Sequence, residues 1–192
     1  MMKQTCIFSS KLLLTTAVFA MMTGQGFAQN LSKFVISAEA AKKTLTRNEI
    51  NAETAAKIAQ ACVDFATKNN MAISVFILSP TGQIVHSHRM DGQVPINTET
   101  ALLKAKSVLY TRDSTHQRLN MVANNLSLQM RWEPLGVFPV PGGLPIIVDG
   151  EMIGAIGVGG GSKDEETAYQ ALTSVVGPQP ALAGPPPPPP AH

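Results

Sequence analysis

The sequence predicts an α+β fold in which a mainly antiparallel sheet is flanked by helices. Patterns of helix and strand follow one another in the order helix, two strands, helices, two strands, helix. Turn sequences rich in glycine join the strands of each pair, so the strands are connected by hairpins and not by βαβ crossovers. The chain has 192 residues, of which 44% are hydrophobic. That is enough for one domain with one core.

Residues 1–28 have the pattern of a secretory signal peptide. Lys3 and Lys11 precede an uncharged apolar run at 12–22, and the small residues Gly26 and Ala28 stand at the two positions that a signal peptidase reads, which suits cleavage after position 28. The run is shorter than the roughly 20 apolar residues of a membrane-spanning helix, so cleavage is favoured over an N-terminal anchor. We therefore expect an exported protein, periplasmic or extracellular, with no membrane span after cleavage.

Removal of this segment changes the charge and the cysteine count. The chain has 15 basic and 13 acidic residues, and Lys3 and Lys11 account for the difference. A neutral mature chain gives no reason to expect a nucleic-acid partner. Cys6 is removed too, which leaves Cys62 without an intrachain partner. We expect Cys62 to pack in the core, as most free cysteines do, and not to be a reactive thiol.

The domain is expected at 49–176, between two less regular segments. Residues 29–48 are weakly periodic and are interpreted as an irregular lead-in. Residues 177–192 form a proline-rich tail that includes six consecutive prolines, Pro185 to Pro190. Proline fixes φ and lacks an N–H group, so the tail is expected in polyproline II conformation or disordered. A solvated tail is favoured over one that docks in an aromatic groove.

The first half of the domain is predicted as a helix and a hairpin. Asn51 suits the cap of a helix that runs to about Asn69, with one apolar stripe along it. The segment 71–79 is apolar on both faces, which is typical of a central strand covered twice. A turn at 80–82 leads to a second strand at 83–89.

Helices are predicted next, followed by a long irregular stretch. Asn97 is expected to cap a helix at 98–111, and Ser114 a short helix that ends at Met121 or Val122. Residues 124–143 contain several prolines and glycines and are expected to be irregular. A loop of that length is often functional.

The second hairpin has the clearest local pattern. Strands at 144–148 and 151–158 flank Asp149-Gly150, which predicts a two-residue type I′ turn. The expected register pairs Ile147 with Met152 and Ile146 with Ile153.

Glycines interrupt the returning strand at Gly154, Gly157 and Gly159, which indicates close approach by a ligand or by another backbone. The segment 157–162 does not complete a dinucleotide-binding G-x-G-x-x-G, because Ser162 stands in the last position. Residues 162–165 predict a capping box for the last helix.

His86 and His88 are the first candidates for chemistry. They lie two residues apart on a strand, so both rings project from one face and are able to hold a transition metal. A third ligand would have to come from elsewhere, such as His116 or Asp91. Exposed or packed histidines without a ligand are the alternative interpretation.

Charged and aromatic residues supply the other candidates. Arg89 is a candidate to bind a carboxylate group of a ligand, and Asp91 is a candidate to cap the following loop. In the alternative interpretation, the two residues form a salt bridge at the end of a strand and bind no ligand. Lys104 is expected on the side of its helix opposite Val108, as a solvated lysine. Trp132 and Phe138 are interpreted as apolar contacts to a flat ligand or as core residues. No set of catalytic residues stands out, so the residues do not decide whether the protein is an enzyme.

Together these segments resemble the GlcG/HbpS family of haem-binding proteins, to which the PduO C-terminal domain is related. The resemblance covers about residues 48 to 175. The matching segments are Arg89-Met90-Asp91-Gly92, Ala101, Lys104-Ala105, Pro141-Gly142-Gly143-Leu144-Pro145-Ile146, Val148-Asp149-Gly150, Gly154-Ala155-Ile156-Gly157-Val158 and Lys163-Asp164-Glu165. His86 and His88 stand where that family usually has small or apolar residues.

The resemblance implies a profilin-like fold with an antiparallel sheet of about five strands, assembled as a homo-oligomer. It implies haem, a tetrapyrrole, as the ligand, held in an apolar groove where the glycines leave room. The resemblance gives no iron ligand; on the hypothesis that haem binds, Arg89 or Lys104 would pair with the propionates, and His86 or His88 would approach the iron. The ligand-binding residues would be Arg89, Met90, Asp91, Lys104, Pro141, Gly142 and Gly143.

Three functions are consistent with the resemblance. The first is an exported haem-binding protein in haem or iron handling or sensing. The second is an accessory module that binds a small carboxylate or a corrinoid, in which Arg89 would hold the ligand. The third is a haem-degrading enzyme, in which the haem itself supplies the hard chemistry.

Overall fold

The computed structural model describes residues 48–185 and residue 188. The expected signal peptide at 1–28 lies outside the described residues, as does the lead-in at 29–48 apart from its last residue. The elements are α1 (Ala52–Lys68), β1 (Ser74–Leu78), β2 (Ile84–Arg89), α2 (Pro95–Thr111), α3 (Thr115–Val122), α4 (Leu126–Trp132), a 3₁₀ turn (Glu133–Leu135), β3 (Gly143–Val148), β4 (Glu151–Gly159) and α5 (Asp164–Val176).

The four strands form one antiparallel sheet in the order β2-β1-β4-β3. The α+β class is confirmed, although the described part of the chain has four strands and not about five. Helices α1 and α5 contact each other and cover one face, while α2 packs on β4, β1 and β3 from the other. In the described residues, no helix is long and apolar enough to cross a membrane.

The main core lies between the sheet and the pair α1 and α5. β1 is central, and its residues are buried on both faces, as predicted. Val75 and Ile77 project into this core beside Ile58 and Cys62 of α1. Cys62 is fully buried, as predicted, and burial raises the pKa of its thiol to about 12. The thiol is therefore neutral and packs as a small apolar group.

Two predicted helix caps are confirmed. The side-chain oxygen of Asn51 accepts from the Thr54 amide at 2.8 Å, and the Ser114 hydroxyl accepts from the Gln117 amide at 3.0 Å. Each bond satisfies an N–H group that the helix itself leaves free.

Two other predicted caps are wrong. α2 begins at Pro95, because proline is pre-organised for the first helical position, and Asn97 instead donates to the Gln93 side chain at 2.7 Å. The capping box at 162–165 is also absent, since α5 follows Lys163 without a side-chain cap. Asp164 accepts instead from the Gly161 amide at 2.8 Å, which tightens the turn before the helix.

The expectation of irregular structure at 124–143 is wrong over its middle part. α4 and the 3₁₀ turn occupy 126–135. The Asn125 side chain caps α4 by accepting from the Leu128 amide at 3.0 Å. An asparagine before an apolar run was the available signal, and the prolines around it masked that signal.

The second hairpin has the predicted type I′ turn, with φ of 50° at Asp149 and 79° at Gly150. Ile147 pairs with Met152 as expected, but Ile146 pairs with Gly154 and not with Ile153. An irregularity between Ile146 and Ile147 shifts the register by one residue.

The proline-rich segment does not begin as a solvated tail. Gln179 forms two hydrogen bonds with the backbone of the edge strand β3: its amide donates to the Ile147 carbonyl at 2.9 Å, and its oxygen accepts from the Ile147 amide at 3.1 Å. Further on, Asn120 of α3 donates to the Gly184 carbonyl at 2.8 Å. The segment 177–184 thus packs on the domain, which corrects the expectation for these residues. The rest of the tail, except for Pro185 and Pro188, lies outside the described residues.

Candidate functional site

The residues predicted as a single ligand site lie in different parts of the molecule. His86 and Arg89 belong to the edge strand β2, whereas Gly143 belongs to the opposite edge strand β3. Across the sheet, His86 pairs with Ile77, which pairs with Ile156, which pairs with Leu144. Three strand spacings of about 4.8 Å put roughly 14 Å between the two edges.

The histidine pair has the predicted orientation but no third ligand nearby. His86 is half-buried and His88 is exposed, and both are paired with β1 residues of the same face. Within the described part of the chain, no three His, Cys, Asp or Glu side chains are grouped to hold a metal ion. His116 is engaged elsewhere, since its Nδ1 lies 2.7 Å from a Glu165 oxygen.

The segment after β2 forms a turn that is closed by a hydrogen bond between its two ends. Arg89 is exposed, and its Nη1 donates to the Gln93 carbonyl at 2.9 Å. Met90 is half-buried, and its sulfur accepts from the Ile73 amide at 3.4 Å. Asp91 is exposed. Arg89 and Asp91 are therefore accessible to a ligand, while Met90 fastens the strand end to the core.

Lys104 is not the solvated lysine that was expected. It is only 3% exposed, and its Nζ lies 2.6 Å from an Asp164 oxygen and donates to the Val158 carbonyl at 2.8 Å. Lys104 and Val108 are one helical turn apart, so they share a face of α2 and both point to the sheet. The ammonium group ties α2 to β4 and to the start of α5.

Gly142 and Gly143, beside this ion pair, leave space that is filled by side chains of the protein itself. A Cβ on Gly142, where φ is +124°, would lie 2.8 Å from the Asp164 Cβ and 3.0 Å from the Lys104 Nζ. Gly143 donates to the Thr115 hydroxyl at 2.9 Å, and a Cβ there would lie 2.6 Å from the Thr115 methyl group. Pro141 is half-buried beside them. These positions serve the packing of α2, α3 and α5.

The glycine-rich strand β4 leaves no groove for a flat ligand, which corrects the expectation from the resemblance. A Cβ on Gly157 would overlap the Ala101 carbonyl oxygen, and one on Gly159 would lie 2.5 Å from the Asn97 carbonyl oxygen. The α2 backbone itself fills this space. Of the two readings of these glycines, close approach by another backbone is confirmed.

An open apolar space lies instead between α3, α4 and the segment that follows. We call it the α3–α4 hollow. Its cavity volume is about 410 Å³, which is within the range of small-molecule sites. Its lining residues are Leu119, Val122, Ala123, Gln129, Trp132, Glu133, Val137, Phe138, Pro139 and Val140.

Local structure fixes the walls of this hollow. Val122 and the C-cap residue Ala123 follow Leu119 by three and four residues, so they lie on the same side of α3 as Leu119. On the other side, the Phe138 amide donates to the Ser107 hydroxyl at 2.7 Å, which fastens the returning loop to α2. Gly136 ends the 3₁₀ turn with φ of 72° and redirects the chain towards β3.

Basic and acidic side chains meet at α3, where Arg118 contacts Trp132, a wall of the hollow. The Arg118 guanidinium lies 5.7 Å from the centre of the Trp132 ring and pairs with Asp113. Its Nε is buried and has no hydrogen-bond partner. Two residues earlier on α3, His116 pairs with Glu165, whose other oxygen is also buried and without a partner. Buried polar atoms are rarely left unpaired, so these groups suit an additional polar partner.

Sequence reasoning found part of this hollow. Trp132 and Phe138 were considered as contacts to a flat ligand, and both line it. Arg118 was missed, because nothing in its local pattern distinguishes it from a solvated arginine. Only the position of Trp132 at the end of α4 brings the two together.

A family model and a related protein sequence both place the chain among HbpS-like and GlcG proteins. A family model described as haem degrading protein HbpS-like matches residues 50–173. The GlcG protein of Escherichia coli K12 is 32% identical over 113 residues, which are 59% of this chain and 83% of GlcG.

Solved structures agree with these matches. A crystal structure of HbpS is 27% identical with a TM-score of 0.62, over 69% of this chain and 93% of HbpS. A crystal structure of a PduOC–haem complex has a TM-score of 0.59 over 66% of this chain and 95% of that one. Its identity is 22%, so this likeness shows the fold alone.

Proposed function

The chain belongs to the HbpS-like family, and on that basis we propose that it is an exported haem-binding protein whose haem lies in the α3–α4 hollow. Related names and structures favour haem as the ligand, since the family model is described as haem degrading and one solved structure of this fold is a haem complex. The proposed location of the haem rests on one observation, the presence of the α3–α4 hollow.

The residues of the hollow suit a haem. Trp132, Phe138 and the apolar face of α3 supply contacts for the macrocycle, whose burial is favourable at roughly 25 cal/mol per Å². The buried Nε of Arg118 has no partner, and arginine forms strong charge-assisted hydrogen bonds to carboxylates such as the propionates.

Two sets of histidines are candidates for the iron ligand. His116 precedes Leu119 by one turn on α3, and its Nδ1 lies 2.7 Å from Glu165. A carboxylate at one ring nitrogen orients the imidazole and leaves Nε2 for a metal. His86 and His88 lie on β2, the strand at the far edge of the sheet. We therefore place the ligand at His116 rather than at the pair on β2.

Bound haem would supply redox chemistry at iron, while this chain supplies the apolar walls and the basic partner. A role in the handling or sensing of haem or iron follows if the haem is bound reversibly.

The family description also favours a second function, degradation of the haem. Loss of the bound-haem spectrum on addition of peroxide or a reductant with oxygen would distinguish turnover from simple binding.

A haem titration followed by absorption tests the proposal. We expect a saturable Soret shift, weakened by Trp132→Ala because the variant removes the largest apolar wall. His116→Gln should alter the spectrum of bound haem, whereas His86→Ala combined with His88→Ala serves as the matched control and should leave it unchanged. Absence of a Soret shift would overturn haem binding. A change confined to the His86 and His88 variant would move the ligand to β2.

We also propose that copies of the chain associate through the outward face of α4. Leu126, Met130 and Leu135 are 68%, 64% and 65% exposed. Large apolar side chains grouped on one short segment are typical of an interaction surface.

A further inference from the structure

We propose that residues 178–184 form a strap that closes over the pair of His116 and Glu165, so that a ligand reaches His116 only when the strap is released. The closed position of the strap rests on contacts within the described part of the chain. Its effect on haem rests on the proposed function, because that function places the iron ligand at His116. The strap follows α5, and haem binding by itself leaves this segment unexplained.

The strap is held to the domain near both of its ends. The Gln179 side chain forms two hydrogen bonds with the Ile147 backbone of β3. Five residues later, the Gly184 carbonyl accepts from the Asn120 side chain of α3 at 2.8 Å. Between these points the strap encloses a cavity of about 60 Å³ against β3, α5 and the start of α3. So small a space shows that the strap lies close to the domain surface.

The strap runs along α3 past His116. Residues 180–182 line the same cavity as Ser114, the cap of α3. Further on, Gly184 is bonded to Asn120. Six helical residues rise about 9 Å, and three extended residues, from 181 to 184, span about 10 Å, so the two segments are matched in length between these contacts. His116 shares a helix face with Asn120, since the two are four residues apart. The strap therefore crosses the face of α3 that carries His116.

Leu182 brings the strap to the partner of His116. It lines a second cavity together with Glu165, Val140 and Pro141. One Glu165 oxygen lies 2.7 Å from the His116 Nδ1, and the His116 and Glu165 side chains are only 18% and 12% exposed. The strap thus lies beside a pair that is largely shielded from water.

The closed strap is poised for release. The other Glu165 oxygen and the Asn120 side-chain oxygen are buried without hydrogen-bond partners, and water supplies such partners when the strap opens. Leu182, the largest apolar side chain of the strap, is 37% exposed, so little apolar burial holds the segment down. Gly177 precedes the strap with φ of 97°, and a Cβ there would meet nothing within 4 Å, which suits a hinge.

Chemical modification of the histidines tests the strap without haem. Diethyl pyrocarbonate reacts with accessible neutral imidazoles, and mass spectrometry resolves the rate at each histidine. The starting protein lacks residues 1–28. One variant ends at Gly177 and has no strap. Its matched control ends at Pro185 and keeps the contacts of Gln179 and Gly184.

A substitution within the full-length chain gives a second comparison. Leu182→Asp places a carboxylate in a cavity that Asp164, Glu165 and Glu166 also line, so repulsion should open the strap. Leu182→Met is its control. Because Leu182 is exposed, neither substitution disturbs the core, and this pair decides the test if the shortened chain does not fold.

We expect His116 to react faster in the chain that ends at Gly177 and in Leu182→Asp. A strap that is closed about nine-tenths of the time gives an increase of about tenfold when it is removed. Both controls should react like the starting protein. His86 and His88, on the far edge strand, should keep their rates in every variant.

Equal His116 rates in the starting protein and both strap variants would overturn the proposal. A faster rate in the chain that ends at Pro185 would overturn it too, because the protection would then come from residues beyond the strap. A rise shared by His86 and His88 would have the same consequence, since loosening of the whole domain would explain it.

The rate of haem binding separates the strap from the proposed function. In the full-length chain the observed rate should level off at high haem concentration, at the rate of strap opening, whereas in the chain that ends at Gly177 it should keep rising. Faster modification of His116 without any haem binding would support the strap and contradict the proposed function. Faster modification with equal haem-binding rates in both chains would support the strap and place the haem away from His116.

Discussion

Lys104 shows how a single residue acquires its role from the fold. Its neighbours in sequence give it the pattern of a surface lysine, but α2 turns it towards the sheet, where it meets Asp164, which is distant in sequence. The partner could not be predicted, because it depends on how β4 and α5 return beneath α2. The same ion pair accounts for the glycine at position 142, where a Cβ would lie 2.8 Å from the Asp164 Cβ.

The buried pair makes a prediction for stability. Lys104→Met should lower the free energy of unfolding by about 3–5 kcal/mol, because it leaves the Asp164 carboxylate buried without its partner. Denaturant unfolding measures this. Adding Asp164→Asn should restore part of the loss. The control, Lys57→Ala, breaks an exposed pair with Glu53 and should have no resolvable effect, since water screens that pair. Equal losses in the single and double variants would contradict a coupled pair.

Cys62 makes a prediction for pH dependence. Burial raises the pKa of its thiol from 9.0 to about 12. Above pH 9 the unfolded chain releases this proton while the folded chain keeps it, so the free energy of unfolding falls as pH rises towards 12. The contribution is up to about 1.4 kcal/mol per pH unit. The Cys62→Ala variant has no thiol to titrate, so its free energy of unfolding should fall less steeply between pH 9 and 12, as measured by denaturant titration. If the free energies of the variant and the native protein changed in parallel with pH, the prediction would be contradicted.

At the scale of elements, local signals were reliable where no distant contact competed with them. Asn51 and Ser114 cap their helices as predicted, because a cap needs only groups within one turn. Asn97 fails as a cap since Pro95 starts the helix earlier. The register after Gly154 was wrong because nothing in the local pattern indicates the irregularity between Ile146 and Ile147.

The contact of the tail with β3 makes a prediction at this scale. Edge strands leave backbone groups free to pair with other chains, and Gln179 satisfies two of them at Ile147. Gln179→Ala should speed hydrogen exchange at the Ile147 amide and lower stability by about 1 kcal/mol. Gln170→Ala, on the exposed surface of α5, is the matched control. Unchanged exchange at Ile147 would show that the contact does not persist in solution.

At the scale of the whole molecule, the fold was predictable and the α3–α4 hollow was not. Alternation of apolar residues and the Asp149-Gly150 turn are enough to specify an antiparallel sheet between helices. The hollow depends on three segments that meet only after folding, so Trp132 and Phe138 could be named but not placed together. The resemblance supplied the family, whereas the residues that it favoured as a site lie in different parts of the molecule.

Assembly makes a prediction for the whole molecule. We expect the protein without residues 1–28 to sediment as an oligomer, because the apolar face of α4 is exposed in a single chain. Leu126→Glu combined with Met130→Glu should give a monomer without loss of fold, since neither side chain is buried. Thr173→Glu, exposed on α5, is the control and should leave assembly unchanged. A monomeric native protein, or an oligomer that survives the α4 variant, would contradict this interface.

Hydrogen exchange of the protein without residues 1–28, recorded with and without haem, tests the proposed location of the ligand most directly. Haem in the α3–α4 hollow should slow exchange across 115–140, which includes both walls, and leave β2 at 84–89 unchanged. Exchange slowed only at β2 would place the haem at His86 and His88. Exchange unchanged throughout would contradict haem binding in the described part of the chain.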